Sequence, residues 1–182
     1  IMTIGFNHLG RHGRLGNQMF QYAGLRGIAA HRGFDFMIPD SDFKDEWTDH
    51  QLFEAFKLKG LTNIGVCPGT YVGEAHFHYD ANLFNNMPDN HNVYAYLQST
   101  KYFEHIEDDI REDFEFKNEI RVPCEDMISS VSDPIALHVR RGDYIQNCDN
   151  HPPCPKEYYD TALSKFDAKR NVVIFSDDPK WC

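Results

Sequence analysis

Apolar positions near the start of the chain first fall in a short cluster and then recur with a helical repeat. MTIGF (2–6) reads as a short strand, and the glycine-dense NHLGRHGRLGN follows it. QMFQYAGLRGIAAHRG then sets Met19, Phe20, Ala23, Ile28 and Ala29 close to helical spacing, with Gly33 as the stop. FDFMIP alternates and ends at Pro39, so the opening predicts a strand–loop–helix–strand unit. Further on, TDHQLFEAFK predicts a short helix capped by Thr48 or Asp49. GLTNIGVCPGTYVG predicts a short strand and turn, residues 74–92 an irregular stretch, and residues 92–99 a strand. TKYFEHIEDDIREDFEF predicts a helix with Phe103, Ile106, Ile110 and Phe114 on one face and a solvated acidic face opposite.

NEIRVPCEDMISSVSD reads as a bridge to a second apolar strand, PIALHVR. CPKEYYDTALSKF predicts a helix with Pro155 near its start and Tyr158, Ala162, Leu163 and Phe166 apolar, and NVVIFSDD predicts the next strand. The expected fold class is α/β, with one domain over residues 1–122 and the beginning of another over residues 123–182. That second domain is expected to be incomplete, because an open parallel sheet needs more than two strands to bury both faces. No internal repeat or low-complexity tract interrupts the pattern.

Composition narrows the function classes. With 41% hydrophobic and 25% charged residues among 182, the chain has the profile of a soluble globular protein. No apolar run is long enough to span a bilayer, and the first residues carry no basic-then-apolar leader pattern. The expected location is the cytoplasm or the cytoplasmic face of a membrane. A net charge of −10 argues against nonspecific nucleic-acid binding. Against this acidic background stand two basic islands, Arg11, His12 and Arg14 in one and His138, Arg140 and Arg141 in the other. Small islands suit a compact anion rather than a polyanion. Among the five cysteines, Cys67, Cys124 and Cys182 have no spacing partner. Cys148, His151 and Cys154 in CDNHPPC lack a fourth metal ligand and read as a Pro-rich loop, with a local disulfide open only to an oxidising compartment.

Three stretches carry candidate chemistry. ALHVRRGDY ends an apolar strand in two arginines, a glycine and an aspartate. Ligands of open α/β sheets bind beyond the carboxyl ends of strands, and guanidinium forks suit diphosphate oxygens. Gly142 permits a sharp turn, and His138 shares a strand face with Arg140. The plainer alternative is a salt-bridged strand end in which Asp143 neutralises Arg141. GRHGRLGNQ places glycines and an amide at a helix start, where N–H groups favour anions. It matches neither a dinucleotide fingerprint nor a P-loop, and its alternative is a tight turn with Asn17 as helix cap. FSDDP places Ser176, Asp177 and Asp178 past a strand, fit for a metal, a base edge or ribose hydroxyls, or for a helix N-cap alone.

GRLGNQMFQYA, YLQSTKYF, LHVRRGDY and FSDDPKWC, in that order, resemble the signature segments of the α-1,2-fucosyltransferases of glycosyltransferase family eleven. The resemblance runs from Gly13 to Cys182, and the H-x-R-R-x-D segment is also similar to that of α-1,6- and protein O-fucosyltransferases. It implies a GT-B-like fold of two facing Rossmann-like domains, the first on the acceptor side and the second holding GDP-fucose, with transfer of fucose by inversion to a galactoside hydroxyl. Arg141 and Asn17 are then the catalytic residues. Arg141 would hold the β-phosphate as fucose departs, and Asn17 would reach the diphosphate or leaving oxygen from the opposite domain. His138, Arg140, Asp143, Tyr144, Gly16, Ser176, Asp177 and Asp178 are implied on the donor side, with Asp143 fixing the arginine geometry and the two later aspartates by the nucleoside. The implied partners are GDP-fucose, which is a substrate rather than a cofactor, and a galactose-containing glycan. A lipid-linked acceptor would bring peripheral membrane association.

Charge development agrees with that implication. Negative charge builds on a departing diphosphate, and fixed cations aimed at it lower the barrier, as a divalent ion does in other transferases. The only Asp-x-Asp run, Asp40 to Asp42, follows a proline in a surface-like loop, so no cofactor or metal is expected. For the base that takes the acceptor proton, Glu74 and Asp80 are weak candidates, and His76, His78 and His91 read as surface or packing residues. Family members are longer and carry a later Ser/Thr- and Trp-rich phosphate-binding segment. The competing expectations are therefore a truncated chain that is inactive or binds GDP weakly, and a sugar-nucleotide hydrolase.

Overall fold

The computed structural model describes residues 1–42 and 49–182, so the candidate cap Thr48 lies outside the described residues. The chain divides into two compact units, Ile1–Ile120 and Arg121–Cys182. The first is built on a parallel sheet of four strands, β1 (Thr3–Gly5), β2 (Asp35–Met37), β3 (Tyr71–Gly73) and β4 (Asn92–Tyr94), in the order β2-β1-β4-β3.

Helix α1 (Leu15–Arg32) joins β1 to β2. Its first N–H is accepted by the Gln51 side chain at 2.7 Å, and Gly33 in the left-handed region (φ 68°) closes it on the Ala29 and Ala30 carbonyls. His31 and Arg32 in the last turn favour the helix dipole. One face buries Tyr22, Leu25 and Ile28 against Ile4, Phe36, Val93 and Leu97. Each such side chain contributes about 1.5–3 kcal/mol of hydrophobic stabilisation. Gly24 and Gly27 let the segment at 97–103 lie directly on the helix: a Cβ on Gly24 would meet Leu97, and one on Gly27 would collide with the Tyr102 carbonyl.

That close docking explains two departures from the expected pattern. The strand expected over 92–99 stops at Tyr94, and Leu97, fully buried, turns through the left-handed region at φ 52°. The helix expected over 100–116 begins as two 3₁₀ turns, Thr100–Tyr102 and Glu104–Ile106. Helix α2 (Leu52–Ala55) is brief, as the pattern predicts, but it starts after Gln51, so Asp49 is not its cap. Residues 74–92 are not wholly irregular. Helix α3 (Ala81–Asn86) forms there because the Asp80 carboxylate accepts the N–H groups of Asn82 and Leu83 at 2.9 and 3.0 Å.

Helix α4 (Glu107–Asp113) carries the acidic run with Glu107, Asp108, Asp109 and Glu112 exposed as expected, and one exception. Its last residue, Asp113, is fully buried. The carboxylate accepts from Tyr22 Oη and the Gly60 amide, each at 2.6 Å, and pairs with Arg26. Burial and this carboxylate push the Tyr22 hydroxyl well above its usual pKa. Helix α5 (Asn118–Ser129) occupies the stretch read as a bridge, with Pro123 inside it and no residue buried. The interior proline argued against a helix there.

The second unit pairs β5 (Ile135–Val139) with β6 (Val172–Ser176) in parallel, Ile135 opposite Val172 and Val139 opposite Ser176. Between them run α6 (Gly142–Gln146) and α7 (Lys156–Leu163), the latter starting just after Pro155 as expected. Tyr159 and Leu163 of α7 line a cavity with Leu137, Val139, Ile174 and Trp181. Tyr159 takes the buried place, while Tyr158 and Phe166, read as part of the apolar face, are exposed. No helix among the described residues is long and apolar enough to cross a membrane.

Candidate functional site

Two clusters carry the sequence-predicted residues, one in each unit. In the second unit the parallel register brings β5 and β6 to a level end. Arg140 and Arg141 leave one strand beside Asp177 and Asp178 leaving the other. Asp177 accepts the backbone N–H groups of Arg141 and Gly142 at 2.8 and 3.1 Å, and these bonds hold its carboxyl below the usual carboxylate range. Asp177 thereby fixes the turn out of which the arginines project. A Cβ on Gly142 would sit 2.9 Å from that carboxylate, so glycine keeps the turn close.

The two arginines are held differently. Arg141 Nε donates to Asp178 at 3.2 Å, and the guanidinium lies 4.1 Å from the Trp181 ring centroid. Its side chain is only 19% exposed. Arg140 forks onto both Asp143 oxygens at 3.1 and 2.6 Å and lies 4.5 Å from the centre of the Tyr144 ring, with a side chain 42% exposed. The Asp143 contact raises the Arg140 pKa further. The partner expected for Arg141, Asp143, thus belongs to Arg140, and Asp178 takes its place. The sheet register explains the exchange: it sets Asp178 next to Arg141, while Asp143 lies one helical turn from Arg140 on α6. Ser176 Oγ accepts the Asp178 N–H at 2.9 Å. His138 is exposed and paired in register with Phe175, on the strand face that Arg140 shares. Tyr144 is also stacked on His151 at 5.0 Å. Among the described residues no three His, Cys, Asp or Glu side chains gather for a metal.

In the first unit the glycine-rich loop after β1 ends in the first turn of α1. The helix cap is Arg14, in extended backbone, and Asn17 lies within the helix, so Asn17 is not its cap. Its Oδ1 accepts from Gln98 Nε2 at 2.6 Å, while its Nδ2 lies over Gly13. Gly13 has φ 86°, and a Cβ there would collide with the Asn17 amide, so glycine is required twice over. A Cβ on Gly16 meets nothing within 4 Å. Gln18, fully buried, braces the loop by donating to the Asp49 carbonyl at 2.7 Å and accepting from the Gln51 amide at 3.0 Å.

The two candidate bases are engaged elsewhere. Glu74 accepts from the Tyr96 and Leu97 amides, each at 3.2 Å, and from Tyr102 Oη at 2.9 Å. Asp80 accepts three backbone N–H groups, those of Ala75, Asn82 and Leu83, and these hold its carboxyl low. His76 and His91 bond to nearby backbone carbonyls. Sequence reasoning missed Gln98 and Trp181. Both stood inside quoted segments, YLQSTKYF and FSDDPKWC, and only the folded chain shows which side chains they touch.

Comparison with known proteins follows the same lines. The family model described as Glycosyl transferase family 11 matches residues 74–182. The O-antigen biosynthesis glycosyltransferase WbnK of Escherichia coli is 27% identical over 61% of this chain and 41% of its own length. Galactoside alpha-(1,2)-fucosyltransferase 2 of Sus scrofa is 25% identical over 93% of this chain and 53% of its own length. The chain thus spans about half the length of the curated relatives it matches. Among solved structures, fucosyltransferase NodZ from Bradyrhizobium superposes with a TM-score of 0.57 at 15% identity, over 98% of this chain and 73% of that one. A NodZ alpha-1,6-fucosyltransferase soaked with GDP-fucose gives a TM-score of 0.56 at 13% identity. At such identities the likeness is one of fold, an α/β, GT-B-like chain built on parallel sheets.

Proposed function

Because the chain belongs to glycosyl transferase family 11, we propose that it carries the donor-phosphate residues of a fucosyltransferase that moves fucose from GDP-fucose to a galactoside hydroxyl, in α-1,2 linkage and with inversion. The observation that carries this reading is the braced arginine pair at the level ends of β5 and β6. Two guanidinium groups on a turn fixed by Asp177 offer positive charge that needs little reorganisation as a diphosphate leaves. Arg141, half-sequestered on Trp181, is assigned to the leaving phosphate, and exposed Arg140 to the donor's outer oxygens. Asn17 of the first unit, its amide oxygen held by Gln98, is assigned as a catalytic hydrogen-bond donor.

The test is calorimetric titration of the chain with GDP in buffer containing EDTA, with GMP and ADP as controls. Selective GDP binding that disappears in Arg141→Ala, with an unchanged far-UV spectrum, is the expected result. GDP binding that persists in the variant refutes the role of Arg141. Binding that appears only when a divalent ion is restored refutes the arginines as the sole source of phosphate-facing charge.

A further inference from the structure

Around the carboxyl ends of β1 and β4 in the first unit, aromatic rings form a continuous ribbon that starts at Tyr71, the first residue of β3. Tyr71 meets His8 at 5.0 Å, and His8 meets Tyr94 at 5.3 Å. Tyr94 meets His12 at 4.8 Å, His12 meets Tyr96 at 6.3 Å, and Tyr96 meets Phe77 at 6.1 Å. Much of this ring surface is open to solvent: Phe77 is 79% exposed, Tyr71 52% and Tyr94 48%. Large rings held in the open at strand ends contribute little to the core, and that edge of an α/β sheet is where ligands bind.

The ribbon borders a cavity of about 370 Å³ lined by His12, Glu74, Phe77, Tyr94 and Tyr96 among others. That is room for a sugar ring or two. Two polar groups in its walls have hydrogen-bonding capacity to spare. His12 Nε2 is buried without a partner, and buried polar atoms are rarely left so. Glu74 uses three of its roughly four lone-pair directions on Tyr96, Leu97 and Tyr102. The loops that line the cavity also carry the Asn17–Gln98 pair: Asn17 follows His12 along one, and Gln98 follows Tyr96 along the other.

We infer that this cavity is the subsite for the acceptor sugar, and that it takes the terminal hexose of a neutral galactoside. The inference rests on the fucosyl-transfer reading for the identity of the sugar. Its own grounds are chemical. Ring faces suit the C–H surface of a pyranose, and the spare imidazole nitrogen and carboxylate lone pair suit its hydroxyls. Tyr94 and Phe77 are specificity-determining residues of the subsite, while Glu74 is a positioning residue that shapes it through the 96–97 backbone.

Saturation-transfer NMR of the chain with methyl β-galactoside and with lactose, with and without saturating GDP, tests this. Saturable transfer to galactose ring protons is expected. Phe77→Ala and Tyr94→Ala should each weaken binding roughly 3- to 10-fold, the scale of one aromatic contact, and Tyr94→Phe should restore it. Phe77 is so exposed that its removal leaves the fold intact, which far-UV circular dichroism verifies. No saturable binding, or affinity unchanged in both alanine variants, overturns the inference. The GDP titration separates the two readings. GDP binding without galactoside binding removes the subsite and leaves the donor reading standing. Galactoside binding on the ribbon without GDP binding does the reverse.

Discussion

Replacing Asp113 with alanine should be the most damaging single change in the first unit. The carboxylate is fully buried and serves Tyr22, Arg26 and Gly60 at once. Arg26, whose side chain is 15% exposed, would be left with only the largely exposed Asp109, 3.5 Å away, as its counter-ion. Breaking a buried ion pair from one side costs about 3–5 kcal/mol. The orphaned Tyr22 hydroxyl and Gly60 N–H would each cost about 1–3 kcal/mol if taken alone. All these losses stem from one carboxylate and are not additive, so a total of about 4 kcal/mol is expected. Against a typical stability of roughly 5–15 kcal/mol this is a large fraction. In urea, with a slope of about 2 kcal/mol/M, the midpoint should fall by roughly 2 M. The double variant Arg26→Met/Asp113→Ala should lose less than the two single variants summed, because no unpaired charge remains. The assay is urea unfolding followed by far-UV circular dichroism for the wild type and the three variants. A loss below about 1 kcal/mol in Asp113→Ala, or strict additivity in the cycle, would refute the account of a buried, mutually dependent network.

Two further outcomes follow from particular side chains. Asp80 caps α3 with a carboxyl held below its usual value of 3.8, so its contribution is fully present above that pH and is lost as pH falls through the folded value. Asp80→Asn keeps an acceptor for Asn82 and Leu83 but sets an –NH2 against the Ala75 N–H, so it should lower stability at pH 7 by about 1 kcal/mol and flatten the acid limb below pH 4, as read by thermal melts across pH. Gly13→Ala forces alanine to φ 86° and against the Asn17 amide, and should lower Tm by roughly 5 °C. Gly16→Ala, where a Cβ meets nothing within 4 Å, should not lower it, and equal melting of the two variants would contradict this assignment.

The order of elements was legible because hydrophobic periodicity reports on faces. The period near 3.6 from Met19 to Ala29 gave α1, and the apolar runs PIALHV and NVVIF gave β5 and β6. What escaped was decided by single side chains or by docking. One aspartate, Asp80, nucleates α3 in a stretch with no usable period, and a carbonyl resting on Gly27 bends the start of the 100–116 helix into 3₁₀ turns. Residue types likewise pointed to Arg140 and Arg141, since guanidinium groups at a strand end suit a diphosphate, whereas Asn17 was implied only by the family resemblance. Pairing was beyond reach: nothing in the letters assigns Asp143 to Arg140, Asp178 to Arg141, or Gln98 to Asn17, because sheet register and a left-handed turn at Leu97 set those contacts.

The glycine notch in α1 also bears on how the chain acquires its structure. Gly24 and Gly27 each weaken an isolated helix by about 1 kcal/mol relative to alanine, and the segment that rests on them forbids the replacement. The helix is therefore weak until residues 97–103 arrive. Its order depends on a partner some seventy positions later in the chain, so local structure cannot form first and wait. During synthesis the opening strand and helix would leave the ribosome before the segment that completes them, with the apolar face of Tyr22, Leu25 and Ile28 uncovered. Burst-phase hydrogen exchange should find the amides of α1 protected together with those of residues 97–103, in a single kinetic step.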